Sequence, residues 1–287
     1  MTEIQTYTLD VPGVALTYDV READGSTEPA LLMIGSPMDA TGFAALAGHF
    51  ADRRVVTYDP RGVSRSTRTD DARKSTPEEH ADDLHRIIAA IGGGPVDIFA
   101  SSGGAINAMA LVTAHPGDVR TLVAHEPPAA TILPDSQQAL AAVYSIQRAY
   151  EESGSGAGMA RFIMTVGHRG EFPAGFGDQP APDPAAFGMP AGDDGSRDDP
   201  LLGQNLISCT HYEPDFDALR AAPTRIVVGA GTESEGEMAY RAAIVAAERL
   251  GAKPVVFPSH HGGFVGGDGP WAGKPAEFAV TLREALA

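Results

Sequence analysis

Three kinds of residue able to perform acyl-transfer chemistry stand at well-defined positions in this chain: a serine among small residues, a histidine in a glycine-flanked loop near the far end, and carboxylates that follow apolar runs. In VDIFASSGGAINAMALV, residues 96–112, the apolar run breaks at Ser102, with Ala100 two positions before it, Gly104 two after it and Gly103 between. A strand that turns sharply into a helix strains the central residue and brings other main chain close, so both flanks must be small. Centring the turn on Ser101 would place Phe99 at one of those flanks, so Ser102 is the expected nucleophile. A phosphate-binding turn is the alternative for a Gly-rich helix start, but neither GxGxxG nor GxxxxGK[ST] occurs here.

A serine hydroxyl needs a base within hydrogen-bond reach. His261, in SHHGGFVG after the last apolar run, lies in a loop that can carry an imidazole over a sheet edge; His260, read as the last strand residue, points elsewhere. The base in turn needs a carboxylate, and two are available. Glu126 ends the apolar run VRTLVAHE, where burying a charge is costly unless it is paired, and Glu233 lies in the polar loop GTESEGE. The cost of burial favours Glu126, and Glu233 stays open. Backbone amides must meet the charge that develops on a substrate carbonyl oxygen; Gly103 supplies one and Ser36, after PALLMIG, is the second candidate, because Pro37 has no N–H.

These residues need a sheet to converge on. IQTYTLDV and VALTYDVRE alternate with a two-residue period around the Pro12-Gly13 turn, PALLMIGS and RVVTYDP read as buried strands, and PEEHADDLHRIIAAIG as an amphipathic helix with an acidic first turn. FAALAGHFA has helical spacing, and RIVVGAG, MAYRAAIVAAERLG, PVVFPSHH and KPAEFAVTLREALA continue the alternation of strand and helix. That alternation predicts a mostly parallel sheet with helices on both faces. Residues 129–220 break the rhythm with a helix-like stretch, a GSGAG linker, RFIMTVGH and a Gly/Pro/Asp-rich tract at 171–200, and read as an inserted lid with a mobile loop. The core is then 1–128 and 221–287.

Asp and Glu outnumber Lys and Arg by 38 to 21, a formal charge of −17, which disfavours nucleic acid and anionic membrane as partners. Cys209 is the single cysteine, so no internal disulfide can form, and the polar N-terminal stretch makes a cytoplasmic location the expectation.

With these pieces in place, the chain resembles the α/β-hydrolase-fold enzymes over nearly its whole length, through LLMIGSP, VVTYDPRGVSRS, FASSGGA and HHGGF. The resemblance implies an eight-stranded, mostly parallel sheet with a lid inserted after the sixth strand. It departs from the usual pattern at Ala100, in place of the commoner glycine, and at Ile34-Gly35, in place of His-Gly. In most chains of this plan the acid sits where Glu233 is; in the haloalkane dehalogenase branch it follows the sixth strand, where Glu126 is. Those dehalogenases attack with aspartate, unlike Ser102, and the one tryptophan, Trp271, is read as opening the last helix rather than binding halide. The implied activity is a serine esterase or lactonase acting on a small to medium, largely uncharged ester, without cofactor or metal, with Leu133, Tyr144, Phe162, Met164, Leu201 and Leu202 of the lid as candidate pocket lining. A cofactor-free haloperoxidase or perhydrolase using the same triad, and a non-catalytic binding module, are the alternatives.

Overall fold

The computed structural model describes residues 4–92, 94–269 and 272–287. The expectation for Trp271 lies outside the described residues. The chain opens with the hairpin β1 (Ile4–Val11) and β2 (Val14–Arg21), closed by Pro12-Gly13 with Gly13 at φ +80°, a left-handed conformation that suits glycine. Then come β3 (Leu31–Ile34), α1 (Ala44–Ala47), β4 (Val55–Tyr58), β5 (Thr67–Arg68), α2 (Pro77–Ala90), β6 (Val96–Ser101), α3 (Gly103–Ala114) and β7 (Val119–His125). After an insertion carrying α4 (Ser136–Val166), α5 (Leu206–His211) and α6 (Phe216–Ala221), the alternation resumes with β8 (Arg225–Gly231), α7 (Met238–Arg249), β9 (Val255–Phe257) and α8 (Pro275–Leu286).

Among the described residues the sheet has nine strands in the order β1-β2-β4-β3-β6-β7-β8-β9, with β5 paired to β2 off that path. The eight-stranded expectation missed only β5, two residues long and too short to leave a periodic signal. Counted without it, the insertion follows the sixth strand. From β4 to β9 the strands are parallel, and β3 and β6 are buried along their whole length, as strands covered on both faces must be. One face packs against α2, α3 and α7 through residues such as Leu84, Met109 and Ala246; the other packs α1 and α8 against Met33, Phe99 and Phe257. α2 begins where its sequence says it should: Thr76 and Glu79 form a reciprocal capping box with Pro77 in the first turn.

Three local expectations need correction. FAALAGHFA is helical only over α1, flanked by 3-10 turns at 40–43 and 48–50. β9 stops at Phe257 rather than running to His261, because Pro258 cannot donate to the ladder and Ser259 takes φ +71°. The GSGAG stretch is no linker: it lies inside α4, where Gly154 at φ +83° kinks the helix. A side chain on Gly156 would come within 1.9 Å of the Pro190 carbonyl oxygen, so this glycine allows the 171–200 tract to lie directly on α4.

Candidate active site

Parallel register delivers the candidate residues to one edge. Ser101 pairs with His125 on neighbouring strands, so the next residue of each, Ser102 and Glu126, leaves the same end of the sheet; β8 and then the loop after β9 continue that edge toward His261. The Ser102 amide donates to the His125 carbonyl at 3.0 Å, and the Glu126 amide to the Gly229 carbonyl at 3.0 Å. Ser102 (φ +57°), Glu126 (φ +47°) and Ser259 (φ +71°) account for three of the four non-glycine residues with positive φ among those described. Such conformations cost about 1–3 kcal/mol each and persist only where surrounding structure imposes them, so strain is concentrated around this edge.

Small residues at the turn are a packing requirement. A Cβ on Gly103 would lie 2.8 Å from the Ser36 carbonyl oxygen, and one on Gly104 would lie 2.7 Å from the Gly35 Cα. The first turn of α3 therefore rests directly on the loop after β3, with Ser36 beside Gly103. Asp59, buried at the end of β4, holds that loop by accepting from the Ala40 amide at 3.0 Å while also accepting from Arg65 Nε at 2.7 Å.

The two acid candidates sit in opposite environments. Glu126 is wholly buried; it accepts from His261 Nδ1 at 2.5 Å, from Ser234 Oγ at 2.5 Å and from the Gly231 amide at 2.8 Å. Glu233 is half exposed and paired with Lys274 Nζ at 2.6 Å, with no bond to His261. Burial opposes the charge of Glu126, but the His261 hydrogen bond, the neighbouring histidines and Ser234 outweigh it and hold the carboxyl below its ordinary range. Burial likewise disfavours the His261 imidazolium, and the bond to Glu126 together with the charges of Glu126 and Glu237 reverses the balance, holding its pKa above the ordinary value. With Nδ1 committed to Glu126, Nε2 is the nitrogen left for chemistry. Among the described residues Ser102 Oγ and His261 Nε2 are not joined by a hydrogen bond; catalytic hydrogen bonds are often long until a substrate compresses the site.

Three contributors escaped the sequence reading. Ser234 comes from the same loop as Glu233, and its buried hydroxyl, with the Gly231 amide, faces Glu126. Glu237, at the start of α7, is raised by burial and then by Glu126, with Arg169 of the insertion 3.5 Å away. His125 is wholly buried, with both ring nitrogens unpartnered among the described residues and its pKa pushed down to about 4 by burial. Because the unfolded chain binds that proton near pH 6.5 and the folded chain only near 4, unfolding takes up a proton in between, and stability falls as pH falls through that window. Replacing His125 by phenylalanine is expected to remove roughly 2–3 kcal/mol of the loss between pH 7 and pH 4.5, read from urea midpoints at the two pH values.

The proposed pocket-lining residues divide. Leu133 and Leu202 belong to the insertion's own core, with Phe162, Met164 and Leu201 partly buried against it, whereas Tyr144 is exposed and packs edge-on against His211. A cleft of about 430 Å³ lies between α4 and residues 173–178, and none of Ser36, Ser102, Gly103, Glu126, Glu233 or His261 lines it.

A family model described as alpha/beta hydrolase fold matches residues 31–162, which span β3 to near the C-terminal end of α4. The uncharacterized hydrolase YraK of Bacillus subtilis (strain 168) is 30% identical over 278 residues, covering 91% of each chain. The chain belongs to the alpha/beta hydrolase fold family. Among solved structures, this alpha/beta hydrolase is similar to an esterase from Thermogutta terrifontis, at 21% identity, 98% coverage of both chains and a TM-score of 0.66. It is also similar to the N-acyl homoserine lactonase AidH, at 18% identity, 99% coverage of this chain, 96% of that one and a TM-score of 0.60. At these identities the likeness is one of fold. Among the described residues no helix is long and apolar enough to cross a membrane.

Proposed function

We propose that this alpha/beta hydrolase is a serine hydrolase that cleaves small to medium, largely uncharged carboxylic esters or lactones through a Ser102-His261-Glu126 triad. The observation that carries the proposal is the buried Glu126 bonded to His261 Nδ1 at the sheet edge where Ser102 is held at φ +57°. The esterase and lactonase among its structural relatives favour the same bond class. Ser102 Oγ attacks the carbonyl carbon while His261 Nε2 takes its proton, and the amides of Ser36 and Gly103 receive the oxyanion. Collapse expels the alcohol, which takes the proton from His261, and a water activated by the same imidazole releases the acid and frees Ser102. Glu126 keeps the ring in the required tautomer and stabilises the imidazolium. In this reading residues 129–220 act as the lid, with α5 over the turn: Cys209 Sγ lies 3.2 Å from where a Cβ on Gly103 would be. Glu233 takes no part.

The test is a panel of p-nitrophenyl esters and lactones of rising chain length, with halogenation in acetate and peroxide run alongside. Hydrolysis of several members is expected; halogenation without hydrolysis would overturn the assignment in favour of the peroxide reaction. The base must be neutral to accept the serine proton, and its pKa is held above the ordinary 6.5. The kcat/KM profile should therefore climb tenfold per pH unit on its acid side and bend to a plateau above pH 6.5, and a bend below 6 would contradict the His261–Glu126 coupling.

A further inference from the structure

We infer that His85, His115 and Asp118 form a binding site for a divalent transition-metal ion of the zinc type, at the opposite edge of the sheet from Ser102. His85 lies on α2, His115 caps the C-terminal end of α3, and Asp118 immediately precedes β7. One ligand atom from each lies within 4.8 Å of the other two. His85 Nδ1 is 2.6 Å from Asp118 Oδ2, and the two imidazoles stack with centroids 3.9 Å apart and planes 7° from parallel. The frame is rigid: the Asp118 amide donates to the His115 carbonyl at 3.1 Å, and the Asp118 carbonyl accepts from the Val96 amide at 2.9 Å. All three side chains are half-buried, so an ion can reach them.

Two imidazoles and one carboxylate are a donor set for zinc and its neighbours; magnesium and calcium ask for oxygen throughout. Zinc bonds of about 2.1 Å place tetrahedral donors about 3.4 Å apart, so the His85–Asp118 pair opens from 2.6 Å to admit the ion and the stacked rings turn until their in-plane lone pairs converge. His115 can make that turn, since its ring has no hydrogen-bond partner among the described residues. The fourth position is left to water. The twelve residues of α3 separate this site from the nucleophile by about 18 Å. An ion there ties the flank of α2 and the end of α3 to the start of β7, and so acts as a structural staple rather than in the proposed acyl transfer.

Equilibrium dialysis of the full chain against Zn²⁺, with Co²⁺ absorption as a second probe of the ligand field, tests this. One ion per chain is expected, with H115Q and D118N each weakening affinity at least tenfold and H261Q, which alters the other imidazole–carboxylate pair, leaving it unchanged. Zn²⁺ should raise the thermal midpoint of the wild type and not that of the H85Q/H115Q double variant. Absence of stoichiometric uptake, uptake undiminished in the double variant, or uptake lost in H261Q would each overturn the assignment.

Discussion

Ser102→Ala is expected to lower kcat on a reactive ester by about 10⁶-fold, because the nucleophile and its base act as a unit and neither retains its function alone. The residual rate should stay above that of water, since the amides of Ser36 and Gly103 do not depend on the hydroxyl. A fluorophosphonate probe should label the wild type at position 102 and leave the variant unlabelled. Ser102→Gly separates chemistry from folding. A residue at φ +57° carries strain that glycine does not feel, so this variant should be equally inactive and at least as resistant to heat as the wild type. An active Ser102→Ala enzyme would end the serine-hydrolase proposal.

Glu126→Gln should cost about 10⁴-fold in kcat, whereas Glu233→Gln should stay within about twofold of the wild type. The amide keeps the shape of the carboxylate but not its charge, and its NH₂ group can donate to Nδ1, which fixes the wrong tautomer for a base that must accept at Nε2. Removing the charge also removes what holds the His261 pKa up, so the acid limb of the rate profile should move to lower pH in Glu126→Gln. Because the Glu126 pKa is depressed in the folded state, its stabilising effect is present above the unfolded value near 4.3 and is lost as pH falls below it. The variant should accordingly show a weaker decline in stability on acidification than the wild type. A Glu126→Gln enzyme within about twofold of the wild type would show that the buried pair is structural only.

Much of this was legible because it depends on short-range rules. The continuous apolar runs at β3 and β6, the capping signals of α2 and the Pro12-Gly13 hairpin are local statements about burial, dipoles and backbone torsions, and each element stands where those rules put it. Steric reasoning at the turn likewise places the kink at Ser102 rather than Ser101, where the backbone takes φ +57° at Ser102, and the cost of an unpaired buried charge marks Glu126 as a carboxylate that needs a partner, which His261 is. The failures share another cause. GSGAG reads as a linker because glycine favours flexibility in isolation, yet in the fold these glycines admit Pro190 and the kink at Gly154, a contact made by residues more than thirty positions away. β5 is too short for any period, and β9 ends where a proline interrupts the ladder rather than where apolar character fades.

By itself, the order of residues determined the alternation of strands and helices, the small-flanked turn at Ser102 and the menu of bases and acids. Which carboxylate meets His261 was decided only by tertiary structure. Parallel register sets Glu126 beside Ser102 at one sheet edge, while the loop that carries the other candidate acid turns Ser234 inward to Glu126 and Glu233 outward to Lys274. Hydrogen-bond geometry acts over about 3 Å, and residues 126, 234 and 261 reach that distance only when three separate strand ends are brought to one edge.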